Sequence, residues 1–160
     1  MRELSPVDLD WISRAPEVVK VTTRFAAPPA AVFAAFADAA TWPRWFPLMT
    51  RATYRDPAGG GVGRERDVSL RALGTFRERF LAWDEGARFA FTVVATSSPL
   101  LRRFGEDYVL TADGTGTHFE WTMGAELRTA GKLAAPALRV IMRRLVRKAG
   151  RNLDARLARS

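Results

Sequence analysis

The sequence lacks cysteine altogether and contains a single histidine, His118. The absence of cysteine excludes disulfide bridges, thiolate nucleophiles and cysteine-bound metals. His118 alternates with Glu120 and Thr122, opposite the apolar Phe119 and Trp121, so it is predicted to face solvent. One surface histidine supports neither a histidine-rich metal site nor a Ser-His-Asp triad. We therefore expect no metal and no cofactor.

Long hydrophobic runs are also missing. No stretch approaches the ~18 consecutive apolar residues of a membrane-spanning helix. Residues 1–13 contain charges and a proline where a secretory signal has an apolar segment. These two absences predict a cytoplasmic protein, and a length of 160 residues fits one domain.

Acidic residues are outnumbered by basic ones, with 17 Asp and Glu against 25 Lys and Arg and a net charge of +8. A surplus of this size is typical of proteins that bind nucleic acid or anionic membranes. A genome-wide bias toward arginine would also produce it, because the excess is nearly all arginine in an Ala- and Arg-rich chain. Aromatic and basic residues are not interleaved as in RNA-binding sheets, so nucleic acid is the weaker alternative.

Residues 1–17 form a lead-in, and residues 18–160 form the domain. In the lead-in, Ser5 and Pro6 predict a short helix that ends near Ile12, because serine caps helices and proline suits their first turn.

The domain begins with an alternating strand and continues with two short helices marked by prolines. Their predicted bounds are 18–26 for the strand and 28–38 and 41–46 for the helices. Short turns rich in Gly and Asp then separate six segments of strand character, which indicates an antiparallel meander. These segments are 49–55, 62–70, 75–83, 88–95, 103–111 and 117–126.

The end of the chain is predicted to be one helix over 137–158, with Pro136 either in its first turn or at a kink after a turn at 129–135. Its apolar stripe is Leu138, Ile141, Met142, Leu145, Ala149, Leu153 and Leu157. Arginines at strict i,i+4 spacing form a second stripe, which we expect to face solvent: Arg139, Arg143, Arg147 and Arg151.

These elements predict an α+β helix-grip fold, in which a curved antiparallel sheet of seven strands wraps around the long C-terminal helix. A helix about 10 Å wide cannot cover seven strands spaced about 4.8 Å apart, so the sheet must curl around it. A curled sheet closed by one helix encloses space that side chains do not fill. The sequence therefore predicts an apolar ligand cavity, of roughly 300 Å³ or more.

Three segments resemble the START/Bet v 1-like (SRPBCC) superfamily, in its polyketide cyclase/dehydrase-like branch. They are VTTRFAAPPAAVFAAFADAATWPRWFP, FRERFLAWDEGARFAFTV and FGEDYVLTADGTGTHFEWTM. The resemblance extends over residues 18–158 and implies the same fold with a hydrophobic ligand. It also implies that the short helix with Trp42, Trp45 and Phe46 lies near the pocket mouth. The superfamily includes carriers, receptors and cyclases, so the resemblance leaves the activity open.

Two carboxylates are predicted to face the interior. Glu78 lies between Phe76 and Phe80 at i±2, and Glu106 alternates with Phe104 and Tyr108 in the same way. A buried carboxylate must be paired or protonated. If the protein is an enzyme, Glu78, Glu106 and Tyr108 are the candidate acid, base and hydrogen-bonding groups.

The strand at 62–70 presents either Arg66 or Asp67 to the face of Glu78, depending on whether the loop at 71–74 has an odd or an even length. Charge favours Arg66, because two facing carboxylates repel each other. We therefore expect Arg66 to be the partner of Glu78.

The favoured function is binding of a hydrophobic small molecule such as a lipid, a polyketide or an isoprenoid-like compound. The predicted ligand-binding residues are Trp45, Phe46, Arg66, Phe76, Glu78, Phe80, Phe91, Phe104, Glu106, Tyr108, Leu138, Met142 and Leu145. Two alternatives remain, a cyclase/aromatase or dehydratase-type enzyme, and a membrane- or ribosome-associated adaptor that uses the arginine-rich helix. Weak contact with anionic membranes is compatible with each of these functions, and the sequence leaves the oligomeric state open.

Overall fold

A computed structural model describes residues 1–159. The strands are β1 (Arg2–Glu3), β2 (Glu17–Phe25), β3 (Met49–Tyr54), β4 (Glu65–Leu70), β5 (Gly74–Asp84), β6 (Arg88–Thr96), β7 (Leu101–Asp113) and β8 (Gly116–Leu127). The helices are α1 (Leu9–Arg14), α2 (Pro29–Ala37), α3 (Trp42–Trp45) and α4 (Thr129–Leu157), with a 3₁₀ turn at Ala39–Thr41. This architecture confirms the predicted α+β fold class.

The strands form one antiparallel sheet in the order β2-β8-β7-β6-β5-β4-β3. The two-residue β1 adds an eighth strand by pairing with β6, and the sequence analysis missed it. β4 begins three residues later than predicted, because Gly61 and Gly63 before it have positive φ angles of 147° and 79°. The inner face of the sheet packs against α2, α3 and α4 in one hydrophobic core.

α4 begins eight residues before the predicted start, at Thr129, and Pro136 lies inside it. Proline there removes the backbone hydrogen bond to the carbonyl of Lys132 but does not end the helix. The buried positions in the second half of α4 are Leu145, Val146, Ala149, Gly150 and Leu153. Ile141, assigned to the buried stripe from its spacing, is 52% exposed, so that assignment was wrong. Val146 occupies the inner face instead, since it follows Met142 by four residues.

The short helix α1 packs on the outer face of the sheet, against β7 and β8. Asp8, rather than Ser5, caps α1 by accepting a hydrogen bond from the backbone of Trp11 at 2.8 Å. Ile12 of α1 lies against two glycines that face each other across β7 and β8, Gly105 and Gly124. A Cβ atom at residue 124 would lie 2.4 Å from the carbonyl oxygen of Ile12, so this close packing requires glycine.

None of the helices in residues 1–159 has both the length and the apolar character needed to cross a lipid bilayer.

Candidate functional site

A cavity of about 160 Å³ lies between the first half of α4 and the inner face of the sheet. It is smaller than the predicted ~300 Å³, because aromatic side chains such as Trp42 and Phe104 occupy part of the space. Its partly exposed lining residues include Leu73, Leu100 and Met142, on the β4–β5 turn, the β6–β7 loop and α4. Glu106 and Tyr108, which also line the cavity, are buried, with exposures of 7% and 1%. The mouth is therefore at Leu73, Leu100 and Met142, and the inner end is at Glu106 and Tyr108.

Nine of the predicted ligand-binding residues line the cavity: Phe46, Phe76, Glu78, Phe91, Phe104, Glu106, Tyr108, Leu138 and Met142. They come from the residue that follows α3, from three adjacent strands and from α4. Strand alternation therefore identified the inward residues of β5 and β7 correctly. Their contact with a ligand remains a prediction.

Trp45, Arg66, Phe80 and Leu145 were also predicted to contact the ligand, but they are not among the residues that line the cavity. Trp45 packs into the core against Trp42, with ring centroids 4.3 Å apart. Phe80 packs against Trp83, further along β5, at 4.8 Å. Leu145 is buried in the core nearly a turn beyond Met142, so the cavity ends before it.

Arg66 and Glu78 are direct cross-strand partners on β4 and β5, as expected from their charges. The connection between the strands has three residues, the odd length that turns Arg66 rather than Asp67 toward Glu78. Arg66 Nε donates to Glu78 Oε2 at 2.8 Å, and Nη2 lies 2.7 Å from the same oxygen. Both residues are buried, with exposures of 0% and 4%. Burial raises the pKa of Glu78, while the guanidinium opposes part of this rise.

The guanidinium of Arg66 is held among aromatic rings. Its carbon lies 4.5 Å from the centre of the Trp42 ring and between 5.5 and 5.9 Å from the rings of Phe80, Phe89 and Phe91. Nη1 has no hydrogen-bond partner within the described part of the chain, and Nη2 contacts Glu78 as an ion pair without the geometry of a hydrogen bond. Glu78 and the faces of these rings therefore stabilise the buried positive charge.

Glu106 is the second buried carboxylate, and it receives two hydrogen bonds. The Tyr108 hydroxyl donates to Oε2 at 2.5 Å, and the indole nitrogen of Trp121 donates to the same oxygen at 2.8 Å. No residue within 1–159 donates to Oε1. Because Glu106 lines the cavity, Oε1 is available to a bound molecule.

Burial raises the pKa of Glu106 to about 7, although the hydrogen bonds from Tyr108 and Trp121 oppose the rise. Burial also raises the pKa of Tyr108 well above its ordinary value, so its hydroxyl stays protonated and remains a donor. At neutral pH the carboxyl group of Glu106 is therefore divided between its neutral and charged forms. Such a group can accept a proton from a bound molecule or return one.

Sequence reasoning missed several parts of the site. Trp121 was placed on the inward face of β8, but its bond to Glu106 depends on a register that places Trp121 opposite Tyr108. At the mouth, Arg139 was expected only to face solvent. It is exposed, but it also lines the cavity and donates from Nε to Glu17 Oε2 of β2 at 2.7 Å.

No group of three or more His, Asp or Glu side chains in residues 1–159 could hold a metal ion.

Comparison with known families gives a match over nearly the whole chain. The sequence model described as "Polyketide cyclase / dehydrase and lipid transport" matches residues 16–159. The chain belongs to this family. An uncharacterised protein of Mycobacterium tuberculosis is 33% identical to this chain over 156 residues. The match covers 95% of this chain and 93% of the relative.

Several solved structures share the fold of this chain. An aromatase/cyclase from Streptomyces sp. R1128 superposes with a TM-score of 0.75 at 17% identity, covering 89% of this chain and 94% of that one. A START superfamily protein from Mycobacterium smegmatis gives a TM-score of 0.73 at 13% identity, with coverage of 89% and 97%. These likenesses show that the chain shares the helix-grip fold of these structures.

Proposed function

We propose that the protein binds a small hydrophobic molecule in the cavity beneath α4, with an oxygen of that molecule placed at Glu106. The observation that carries this proposal is an apolar cavity whose buried end has a carboxyl oxygen without a donor among residues 1–159. Apolar walls supply affinity through burial, and one polar group fixes the orientation of the ligand. Membership of a family described by polyketide cyclisation and lipid transport supports the same class of ligand.

The shape of the cavity limits the ligand. A volume of about 160 Å³ suits a compact ring system, and a longer molecule would extend past Leu73 and Leu100 at the mouth. A hydroxyl or enol group on the inner end would donate to Oε1 of Glu106 when that residue is charged. A carbonyl group would accept from Glu106 when it is neutral.

Native mass spectrometry of gently purified protein tests the proposal, because it detects a molecule that stays bound. Met142→Trp is the cavity variant, since Met142 lines the mouth and a larger ring there fills the entrance. Arg147→Trp is the matched control, because it adds the same ring to an exposed position of the same helix. We expect a bound mass in the wild type and in Arg147→Trp, and its loss in Met142→Trp. Equal occupancy of all three proteins would refute binding in this cavity.

Proton transfer to and from the bound molecule is the second candidate function, and the pKa of Glu106 near 7 favours it. In this reaction the charged carboxylate of Glu106 removes a proton from the carbon next to a carbonyl group, which leaves an enolate and a neutral Glu106. Return of a proton to that carbon restores both groups, and exchange of the carboxyl proton of neutral Glu106 with solvent before this return introduces solvent hydrogen into the ligand. The solved aromatase/cyclase with the same fold supports testing this chemistry.

Deuterium exchange into a bicyclic ketone such as 2-tetralone, followed by NMR in D₂O, measures this transfer directly. We expect faster exchange with the wild type than with buffer, rising with pH through the pKa of Glu106 near 7. Glu106→Gln should lose the acceleration. Glu120→Gln removes a carboxylate on the surface and should keep it. Identical rates for the wild type and Glu106→Gln would leave binding as the only function of the site.

A further inference from the structure

Almost all of the net charge of the protein lies on one helix. Residues 129–157 contain eight Lys or Arg residues and a single Asp, so α4 carries a net charge of +7. The whole chain has a net charge of +8. A bias toward arginine in the genome would spread the surplus over the chain, so it does not explain this distribution.

Most of the charge on α4 is also unpaired. Its exposed basic side chains that make no ion pair with any residue in 1–159 are Lys132, Arg143, Arg144, Arg147, Lys148 and Arg151, whereas Arg139 pairs with Glu17. The surface of the sheet differs, because there Arg55, Arg77 and Arg79 each pair with a carboxylate of β4. The sequence therefore concentrates unpaired positive charge on the outer side of α4.

The same helix exposes large aliphatic side chains. Leu133 is 89% exposed, Val140 is 49% exposed and Ile141 is 52% exposed. Their spacing of seven and eight residues places them on one side of the first half of α4. Of the six large hydrophobic residues exposed in the described part of the chain, three lie here. Exposed large hydrophobic residues are therefore concentrated in this apolar patch and are sparse on the rest of the described surface.

The apolar patch and the basic residues follow one another along the outer side of the helix. Arg144, Arg147 and Arg151 lie four, seven and eleven residues after Val140, which are the spacings of one helix face. The apolar half is also the half whose inner side lines the cavity, through Leu138 and Met142. The outer surface of α4 thus combines aliphatic contact area, unpaired arginines and proximity to the mouth.

We propose that the outer face of α4 docks on the surface of an anionic lipid bilayer. Leu133, Val140 and Ile141 would enter the boundary between headgroups and acyl chains, and the arginines would contact the charged headgroups. The charge alone would also suit nucleic acid. However, a phosphate backbone would leave the aliphatic patch in water, and residues 129–157 include no aromatic side chain to stack on bases. The docking concerns the outer face only and holds whether or not the cavity contains a ligand.

Vesicle co-sedimentation tests the proposal, with phosphatidylcholine vesicles that contain or lack phosphatidylserine, at low and high salt. The wild type should sediment with the anionic vesicles at low salt and be released at high salt. Arg144→Gln/Arg147→Gln/Arg151→Gln should weaken this binding by roughly a hundredfold at low ionic strength. Leu133→Gln/Ile141→Gln, which leaves the charge unchanged, should weaken it by about tenfold, because aliphatic burial is lost.

The control is Arg14→Gln/Arg24→Gln/Arg51→Gln, which removes three charges from exposed sites on α1, β2 and β3. It should bind anionic vesicles nearly as well as the wild type. Absence of sedimentation with anionic vesicles at low salt would overturn the proposal, as would equal weakening by the control. Unchanged vesicle binding by Leu133→Gln/Ile141→Gln, together with tight binding to an RNA duplex, would assign the face to nucleic acid. Thermal unfolding of each variant verifies that it is folded.

Discussion

Replacing Glu106 with glutamine should make the free energy of unfolding less dependent on pH. Burial raises the pKa of Glu106 to about 7, compared with an ordinary value of 4.5 that we assign to the unfolded chain. Between these values the folded state binds more protons than the unfolded state, so stability decreases as the pH rises. At about 1.36 kcal/mol per pKa unit, the wild type should lose about 2.5 kcal/mol from this group between about pH 5 and pH 8.

Glutamine keeps the shape of the side chain and one oxygen that can accept from Tyr108 and Trp121, but it does not titrate. The difference in unfolding free energy between wild type and Glu106→Gln should therefore change by about 2.5 kcal/mol across this pH range. The variant gains relative stability at the higher pH. The raised pKa of Glu78 contributes in the same direction in both proteins, so it cancels from the difference except for its Coulombic interaction with Glu106.

Urea unfolding followed by tryptophan fluorescence at several pH values measures this difference. Glu120→Gln is the matched control. Its carboxylate is half-exposed and its pKa is lowered by the hydrogen bond and ion pair with Lys20, so its removal cannot produce the same trend. Parallel pH profiles for the wild type and Glu106→Gln would refute the reasoning, because they would show that Glu106 titrates normally in the folded protein.

The remaining predictions concern the buried ion pair and two glycines. Arg66→Met should cost about 3–5 kcal/mol in urea unfolding, because it leaves Glu78 buried without its partner. Arg66→Met/Glu78→Met should cost much less, and a double variant as unstable as the single one would contradict this account. Gly124→Ala should destabilise by about 1–3 kcal/mol, since its Cβ would meet α1 at 2.4 Å. Gly150→Ala, whose new Cβ has its nearest contact at 3.5 Å, should stabilise α4 by about 1 kcal/mol. Thermal unfolding should therefore rank Gly150→Ala above Gly124→Ala. The opposite order would show that α1 moves away from residue 124 at little cost.

Local patterns predicted the fold because each element carried its own signal. Alternation placed Phe76, Glu78 and Phe80 on one face of β5, and short Gly and Asp turns required an antiparallel meander. The exceptions are positions where tertiary contacts override the local pattern. β1 has two residues and no periodicity, and α4 continues through Pro136 toward Thr129.

The candidate site was predictable only where charge or alternation determines which side chains face the interior and which of them pair. Facing carboxylates repel, so Arg66 could be matched to Glu78 before the register was known. The bond from Trp121 to Glu106 could not be derived in that way, because several registers of β7 and β8 keep both side chains inward. The extent of the cavity depends on how far the rings of α3 reach beneath α4, which is a property of packing rather than of pattern.

Binding of a small hydrophobic molecule in the cavity, with its oxygen at Glu106, can be observed at the side chains that contact this residue. The most direct measurement is NMR of the tryptophan indole N–H groups during titration with 2-naphthol, a compact ring system with one hydroxyl. Trp121 donates to Glu106 at the inner end of the cavity, whereas Trp11 lies on α1 at the outer face of the sheet. We predict a saturable shift of the Trp121 indole signal, an unchanged Trp11 signal, and loss of the shift in Met142→Trp. A Trp121 signal that does not move up to the solubility limit of 2-naphthol, or that moves equally in Met142→Trp, would contradict the account.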